Sequence, residues 1–139
     1  VIASEDIGLA YPQASSIVKS SVDSAMQLGL PEARIPLAEA VIFLATCPKS
    51  NSACEAIDLA IEDINNGLGK QVPSHLKDGH YAGASKLDHA TGYLYPHNYK
   101  NHYVKQQYLP NDIKNKKYYT YQENKIEEAC KKYWDLIKK

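Results

Sequence analysis

Apolar residues recur at helical spacing in residues 12–29, the first segment of the chain with a clear pattern. They form one stripe on an otherwise polar segment: Ala14, Ile17, Val18, Val22, Ala25 and Met26. Spacings of three and four residues place side chains on one face of a helix. Pro12 suits the first turn of a helix, and Gly29 suits the position just after its end. The pattern therefore predicts an amphipathic helix over residues 12–29.

The next segment, residues 36–47, is apolar on nearly every side, and Glu39 is its one charged residue. A helix of this kind is buried in a core or in a subunit interface. Ser52 and Glu55 then have the spacing of a capping box, which predicts the start of a third helix over residues 52–66. Because the link between the second and third helices is short, we expect them to pack as an antiparallel hairpin.

Residues 68–120 contain glycines, prolines, all five histidines and most of the eleven tyrosines, without a sustained helical or strand period. A structureless stretch of this length is uncommon inside a compact domain. Tyrosine rings have enough apolar area to pack such a segment onto helices. We therefore expect short helical turns here, with room for one small β-hairpin near residues 93–103.

The chain ends in a segment, residues 121–138, with an apolar stripe and with lysines near its end, as a helix prefers. Thr120 and Glu123 have the spacing of another capping box. Glu127 stands four residues before Lys131, a spacing that favours an ion pair on the helix surface. The segment therefore predicts a C-terminal helix.

These four helices indicate a mainly α fold, a helical bundle that carries the long Tyr-rich irregular segment. A chain of 139 residues is long enough to bury its own core as a single domain over residues 1–139. The three cysteines are odd in number and lack CxxC spacing, so neither a disulfide framework nor a zinc knuckle is expected. Free thiols suit the cytoplasm, and no stretch has the pattern of a membrane span or signal peptide.

Charge is divided unevenly along a chain whose net charge is zero. Residues 1–69 carry nine acidic and three basic side chains, whereas residues 70–139 carry seven acidic and thirteen basic ones. Opposite halves attract each other within a fold or between subunits, and a basic half can contact phosphate. The chain has a single arginine, Arg34, and therefore lacks the guanidinium groups that usually recognise phosphates and bases. This favours the internal attraction.

No motif in the chain predicts catalysis. The string NGLGKQ at 66–71 has neither the spacing nor the hydroxyl of a phosphate-binding loop. Histidines five residues apart, such as His75 and His80 or His97 and His102, point about 140° apart on a helix and make a poor chelating pair. The cysteines near the apolar helices are more typical of small core residues than of nucleophiles. We expect no catalytic, cofactor or metal site in this chain.

One short string, NKKYYTYQ at 115–122, interleaves basic and aromatic residues in a way that can bind single-stranded nucleic acid. The candidate contacts here are Lys114, Lys116, Lys117, Tyr118 and Tyr119. A turn whose tyrosines pack inward explains the same composition, and the sequence favours this second interpretation.

Five strings of the sequence resemble a known family. They are ASEDIGLA, PEARIPLAEA, CPKSNSA, GYLYPHNY and QQYLP, which lie in this order within residues 3–121. In that order they resemble the C-terminal region of the replication-associated recombination protein A family, the MgsA/RarA-type AAA+ ATPases related to clamp loaders and to the Werner helicase-interacting ATPase.

The resemblance implies a helical C-terminal oligomerisation domain, similar to the collar of clamp loaders, that holds subunits in a homotetramer. Val1 would then mark the boundary of a fragment, and ATP and Mg²⁺ would bind only in the ATPase domain of the parent chain. The parent would be a DNA-dependent ATPase that acts at stalled replication forks, with single-stranded DNA-binding protein and DNA as partners. The alternative is a domain whose basic, Tyr-rich half binds DNA or that partner protein directly.

Residues that match the family strings look structural. Glu5, Asp6 and Arg34 are candidates for a charge network. The aliphatic residues of the two apolar helices are candidates for the oligomer interface: Leu37, Val41, Leu44, Ile57 and Ile61. The sequence departs from the family pattern where it has Tyr11, Lys77 and Tyr103 in place of aspartate, arginine and tryptophan. The loss of aspartate at position 11 removes a helix-capping carboxylate before Pro12.

Overall fold

The structure is a computed structural model that describes residues 1–77 and 92–138. Four α-helices lie in these ranges: α1 (Ala14–Leu28), α2 (Arg34–Thr46), α3 (Ser52–Asn65) and α4 (Lys125–Ile137). A short π-helical turn, Ala3–Ile7, and a 3₁₀ turn, Gly8–Ala10, precede α1. Neither described range contains a β-strand. The predicted mainly α fold is confirmed.

Short turns rather than a hairpin occupy residues 93–103. Two 3₁₀ turns, Pro96–Asn98 and Lys100–His102, follow each other there, and the second contains Asn101 with positive φ. A further 3₁₀ turn, Ser74–Leu76, lies earlier in the irregular segment. The rest of the prediction for residues 68–120 falls partly on 78–91, which lie outside the described residues.

Contacts divide the chain into two compact units. Unit 1 consists of Val1–Ile57 and Tyr119–Lys132, and unit 2 consists of Asp58–Tyr118 and Tyr133–Lys139. In unit 1, helix α1 packs against α2, so the antiparallel pairing of α2 with α3 that the short link predicted is wrong.

The core of unit 1 joins the N-terminal turns to helices α1 and α2. It consists of Ala3, Ile7 and Ala14, against which Val18, Phe43, Leu44 and Cys47 are partly buried. Ile7 is fully buried. Tyr11 contacts Phe43 edge to face, with ring centroids 5.4 Å apart. Tyr11 thus packs on α2, and no side chain caps the start of α1, as expected from the capping aspartate that the resemblance implies is lost at position 11.

Small side chains lie on the buried face of α1. Ala14, Ser21 and Ala25 are buried, and the Ser21 hydroxyl donates to the Ile17 carbonyl oxygen at 3.1 Å. Val22 and Met26, which belong to the predicted stripe, are exposed instead. Small buried residues on α1 are compatible with a close approach of neighbouring helices, and Val18 packs on the same core as Phe43 and Leu44 of α2.

Polar contacts hold the irregular segment of unit 2. The Gly69 N–H donates to the Asp112 carboxylate at 2.8 Å, and the Gln106 side-chain amide bonds both the N–H and the carbonyl of Leu94, at 3.2 and 2.7 Å. Tyr103 meets Trp134 of α4 edge to face at 5.8 Å. Such bonds satisfy backbone groups that lie outside the helices of the described residues.

Candidate interaction surface

One face of α2 exposes several large aliphatic side chains. Ile35, Val41 and Ile42 are 58%, 66% and 63% exposed. On the opposite face Ala40 is buried, while Phe43 and Leu44 pack on the core. Single exposed apolar residues are ordinary on a soluble protein, but a contiguous group of them usually marks an interaction surface. The expectation that α2 is buried on every side is therefore met on one side only in a single chain.

An open groove of about 800 Å³ runs along this face of α2. Its lining combines side chains of α1 and α2: Ile17, Arg34, Ile35, Ala38, Glu39, Ile42 and Phe43. The groove is mostly apolar and carries one positive and one negative side chain. This composition suits another protein surface better than it suits a small charged metabolite.

The interface candidates from the sequence fall into two groups. Leu37, Val41, Ile57 and Ile61 are exposed, and in a single chain each is free to meet a partner. Leu44 instead packs on the core of unit 1. A substitution at Leu44 would therefore disturb the fold rather than an interface.

The ion pairs among the described residues do not include the candidate charge network. In the described part of the chain, neither Glu5 nor Asp6 forms an ion pair with Arg34. The backbone carbonyl of Asp6 accepts a hydrogen bond from the Ser50 N–H at 2.8 Å. Arg34 and Glu39 are both exposed and line the same groove.

The candidate nucleic-acid residues of unit 2 are largely occupied within the fold. Asp63 is buried, accepts a hydrogen bond from the Lys116 ammonium at 2.9 Å and accepts another from the Tyr118 hydroxyl at 2.8 Å. The bond from Lys116, followed by that from Tyr118, lowers the pKa of Asp63, and burial opposes this with less effect. Lys114 and Lys117 are exposed and form no ion pair within the described ranges. Only these two lysines of the candidate set remain available in unit 2.

A buried carboxylate lies in unit 1 at Glu127, so the surface ion pair with Lys131 that the sequence predicted for this residue is wrong. Glu127 of α4 is 1% exposed. Its oxygens accept hydrogen bonds from the hydroxyls of Ser50 (2.6 Å), Ser52 (2.7 Å) and Tyr119 (2.7 Å), and from the Asn124 side-chain amide. Tyr119, the fifth nucleic-acid candidate, is thus also engaged inside the fold.

The ionisation of Glu127 follows from these bonds. Burial is the largest single influence and by itself raises the pKa of the carboxyl group. The four hydrogen bonds, from Ser50, Ser52, Asn124 and Tyr119, together outweigh it and lower the pKa of Glu127 to about 2. Burial first, and then the bond to Glu127, raises the pKa of the Tyr119 hydroxyl. At neutral pH the site holds one carboxylate surrounded by neutral donors.

The start of α4 explains why the sequence did not predict the burial of Glu127. Asn124, not Thr120, caps the helix: its side-chain oxygen accepts from the Glu127 N–H at 3.0 Å, while its amide donates back to the Glu127 carboxylate. The capping box predicted at Thr120 and Glu123 is therefore wrong by four residues. Asn124 and Glu127 have the same spacing, and that spacing was the one signal in the sequence.

The histidines do not assemble into a metal site in the described residues. His75 Nε2 is bonded to the Gln107 carbonyl oxygen at 2.7 Å, and the rings of His97 and His102 lie 5.0 Å apart. No group of three possible ligands occurs in residues 1–77 and 92–138. His80 lies outside the described residues.

None of the helices in the described ranges has the length and hydrophobicity needed to cross a membrane.

Comparison with known proteins agrees with the family resemblance of the sequence. The family model described as MgsA AAA+ ATPase C terminal matches residues 1–138. The chain is 54% identical over 140 residues to replication-associated recombination protein A of Bacillus subtilis (strain 168), covering all of this chain and 33% of that protein. It is 31% identical over 119 residues to the protein of the same name from Escherichia coli (strain K12), covering 85% of this chain and 27% of that protein.

A eukaryotic protein also matches. The chain is 31% identical over 121 residues to ATPase WRNIP1 of Dictyostelium discoideum, covering 86% of this chain and 14% of that protein. The chain therefore spans a third or less of the length of these three curated relatives.

Proposed function

The chain belongs to the MgsA AAA+ ATPase C-terminal family, as the sequence predicted, and on that premise we propose that it is a non-catalytic oligomerisation domain. Family membership places it at the C terminus of AAA+ ATPases implicated in replication-associated recombination. In the proposal, ATP and Mg²⁺ bind in the ATPase domain of the whole protein, and this domain holds the subunits together without a cofactor of its own.

The observation that carries the proposal is the exposed aliphatic face of α2. A helix with Ile35, Val41 and Ile42 in water loses the free energy that burial of these side chains would provide, about 25 cal/mol per Å² of apolar surface. A second copy of the chain is the simplest partner to bury this face of α2, since most soluble oligomers are built from identical subunits. We propose a homotetramer as the assembly.

Tetramerisation would serve DNA binding by the attached ATPase domains. When four weakly binding domains are tied together, the second and later contacts with DNA become intramolecular, and the overall affinity rises without any new contact. The domain would therefore contribute to activity at replication forks although it performs no chemistry.

Solution mass tests this proposal. The 139-residue chain is passed through size exclusion with light scattering over a series of protein concentrations. We expect a mass near that of four chains, which falls only at low concentration. A monomer mass at every concentration would contradict the proposed function.

A second candidate function, binding of DNA or of single-stranded DNA-binding protein, rests on Lys114 and Lys117. These side chains are exposed, and in the described part of the chain neither meets a carboxylate. Binding of this kind would weaken steeply as salt is added. The double variant Lys114→Glu/Lys117→Glu should then lose affinity for a single-stranded oligonucleotide, with Lys19→Glu as the control. Absence of binding by the unmodified chain at low salt would remove this candidate.

A further inference from the structure

The exposed face of α2 follows the seven-residue pattern of a two-stranded coiled coil. Ile35 and Ile42 stand seven residues apart, and Ala38 and Ala45 each follow three residues later. These spacings assign the isoleucines to position a and the alanines to position d of the heptad. All four side chains are exposed in a single chain. An a/d seam on α2 is thus open to a partner.

The remaining positions of the heptad agree with this assignment. Ala40, Phe43 and Leu44 fall at positions f, b and c, on the side away from the seam, and these residues face the chain's own core. The sequence pattern and the burial of α2 therefore agree on which side of the helix faces a partner. Val41 falls at position g, beside the seam, and is exposed.

Two opposite charges flank the seam. Arg34 falls at position g and Glu39 at position e, five residues later. In a parallel pair of helices, position g of one helix lies next to the following position e of the other, so such residues form ion pairs between chains. Within one helix they are about 140° apart and do not meet. The structure shows both side chains exposed beside the groove.

We propose that two copies of this chain pack α2 against α2 in parallel, with Arg34 of each copy bound to Glu39 of the partner subunit. This proposal rests on the proposed oligomerisation function and names the contact that would provide it. The seam residues Ile35, Ala38 and Ile42 line the groove, which the partner helix would fill, and the arginine and glutamate pair twice across a two-fold axis.

Charge selects the parallel arrangement. In an antiparallel pair position g lies beside g and position e beside e, so Arg34 would meet the uncharged Val41 of the partner subunit and Glu39 would meet Glu39 of the partner subunit. Like charges at such positions repel. The β-branched isoleucine at position a is the residue type that parallel dimers favour there, and alanine at position d lets the helix axes approach closely.

The contact depends on the rest of the domain. Helix α2 has 13 residues and is therefore about 20 Å long, too short to form a stable coiled coil by itself. Its packing against α1 holds it in a helical conformation before the partner binds. A pair formed through α2 leaves the exposed residues of other helices, such as Ile57 and Ile61, for the contact that joins two pairs into four.

A charge-exchange experiment tests the pairing. Arg34→Glu places glutamate opposite glutamate between identical copies, and Glu39→Arg places arginine opposite arginine. Each variant alone should weaken self-association by about tenfold, measured by light scattering over a concentration series. An equal mixture of the two variants should recover the unmodified affinity, because each then meets the opposite charge. Lys19→Glu, whose ion pair with Asp23 lies within its own chain, should have no effect.

The outcomes separate this inference from the proposed function. If the unmodified chain forms oligomers but Arg34→Glu and Glu39→Arg associate as well as it does, the domain oligomerises through another surface and the α2 pairing is wrong. If both variants lose association and their equal mixture does not recover it, the proposed ion pair between Arg34 and Glu39 of the partner subunit is wrong. A monomeric unmodified chain would overturn the proposed function and the pairing together. Circular dichroism of each variant establishes that it remains helical.

Discussion

At the scale of single residues, the buried carboxylate of Glu127 links distant parts of the sequence. Its partners Ser50 and Ser52 lie 77 and 75 positions earlier in the chain, and both belong to the family string CPKSNSA. A buried anion is tolerated when hydrogen-bond donors surround it. The serines of this string thus hold the start of α4 within unit 1.

Replacing Glu127 by glutamine should destabilise the fold. A side-chain amide has one accepting oxygen and presents an NH₂ group where the carboxylate accepted hydroxyl protons, so one or more buried hydroxyls lose their acceptor. We expect Glu127→Gln to lower the free energy of unfolding by roughly 2–4 kcal/mol, measured by urea denaturation. The exposed neighbour Glu128 provides the control. Glu128→Gln should change the free energy of unfolding by less than about 0.5 kcal/mol. Equal effects of the two substitutions would refute the role assigned to Glu127.

The same carboxylate predicts a dependence of stability on pH. Its pKa falls from an ordinary value of 4.5 to about 2 on folding, so the folded state binds this proton less readily than the unfolded state. The stabilisation is complete above pH 4.5 and disappears as the pH falls through about 2. Above this pH range the ionised carboxylate of Glu127 therefore contributes about 3 kcal/mol to the free energy of unfolding.

Denaturation of the unmodified chain and Glu127→Gln across this range isolates the effect. The difference in stability between the two should shrink steadily as the pH falls from 5 towards 2. Asp63, whose pKa is also lowered, acts in the same direction but is present in both proteins. A difference that stays constant with pH would show that the ionised form of Glu127 is not what stabilises the fold.

At the scale of elements, the N-terminal turns meet the link between α2 and α3. Gly8 has φ of 48° and ψ of −130°, a conformation that side chains rarely permit, and a Cβ placed there would overlap the Ser50 carbonyl oxygen. The Ser50 N–H donates to the Asp6 carbonyl at 2.8 Å in the same place. The family strings ASEDIGLA and CPKSNSA therefore meet through backbone contacts.

Gly8→Ala should cost more than an alanine at a glycine with free space around it. We expect a loss of about 3 kcal/mol or more for Gly8→Ala, because the new methyl group and the backbone cannot both keep their places. Gly29→Ala is the matched control: its φ of 68° is also positive, but nothing lies within 4 Å of the added Cβ. With ψ of 174° Gly29 lies in a region open essentially to glycine, so the cost should be limited to about 1–3 kcal/mol of backbone strain without the added overlap. Thermal denaturation ranks the two, and a larger loss for Gly29→Ala would contradict the contact at Ser50.

The sequence pattern predicted where the helices begin and end better than it predicted which parts of the chain they pack against. The period and the breaking residues place the ends of α1, α2 and α3 within two positions of the structure. The start of α4 was misplaced because Thr120 and Asn124 both stand three residues before a glutamate, and only the burial of Glu127 distinguishes them. That burial depends on residues far away in the sequence, which a single sequence does not reveal.

The interaction surfaces were predictable in composition but not in orientation. The apolar character of α2 indicated a buried or interface helix, yet only the structure separates Leu44, which packs on the core, from Val41, which is exposed. The basic Tyr-rich string was likewise visible, but its bonds to Asp63 and Glu127 were not. In each case the missing information is which side of a segment the rest of the chain covers.

At the scale of the whole molecule, folding and assembly should be linked. When subunits associate only in the folded state, mass action stabilises that state as the concentration rises. Raising the chain concentration about hundredfold should therefore increase the unfolding temperature, by an amount equivalent to at most about 2.7 kcal/mol per binding event. Circular dichroism melts at a series of concentrations measure the shift.

A variant that removes the proposed contact provides the decisive comparison. Ile42 is 63% exposed, so Ile42→Asp should leave the fold of a single chain intact while it places a charge in the α2 seam. Its unfolding temperature should not change with concentration and should equal that of the unmodified chain at high dilution. The equivalent substitution Met26→Asp, at another exposed position of unit 1 outside the groove, should keep the concentration dependence. A desolvated, unpaired aspartate in the seam would oppose association. If the unfolding temperature of Ile42→Asp still depends on chain concentration, the seam is therefore not where folded subunits meet.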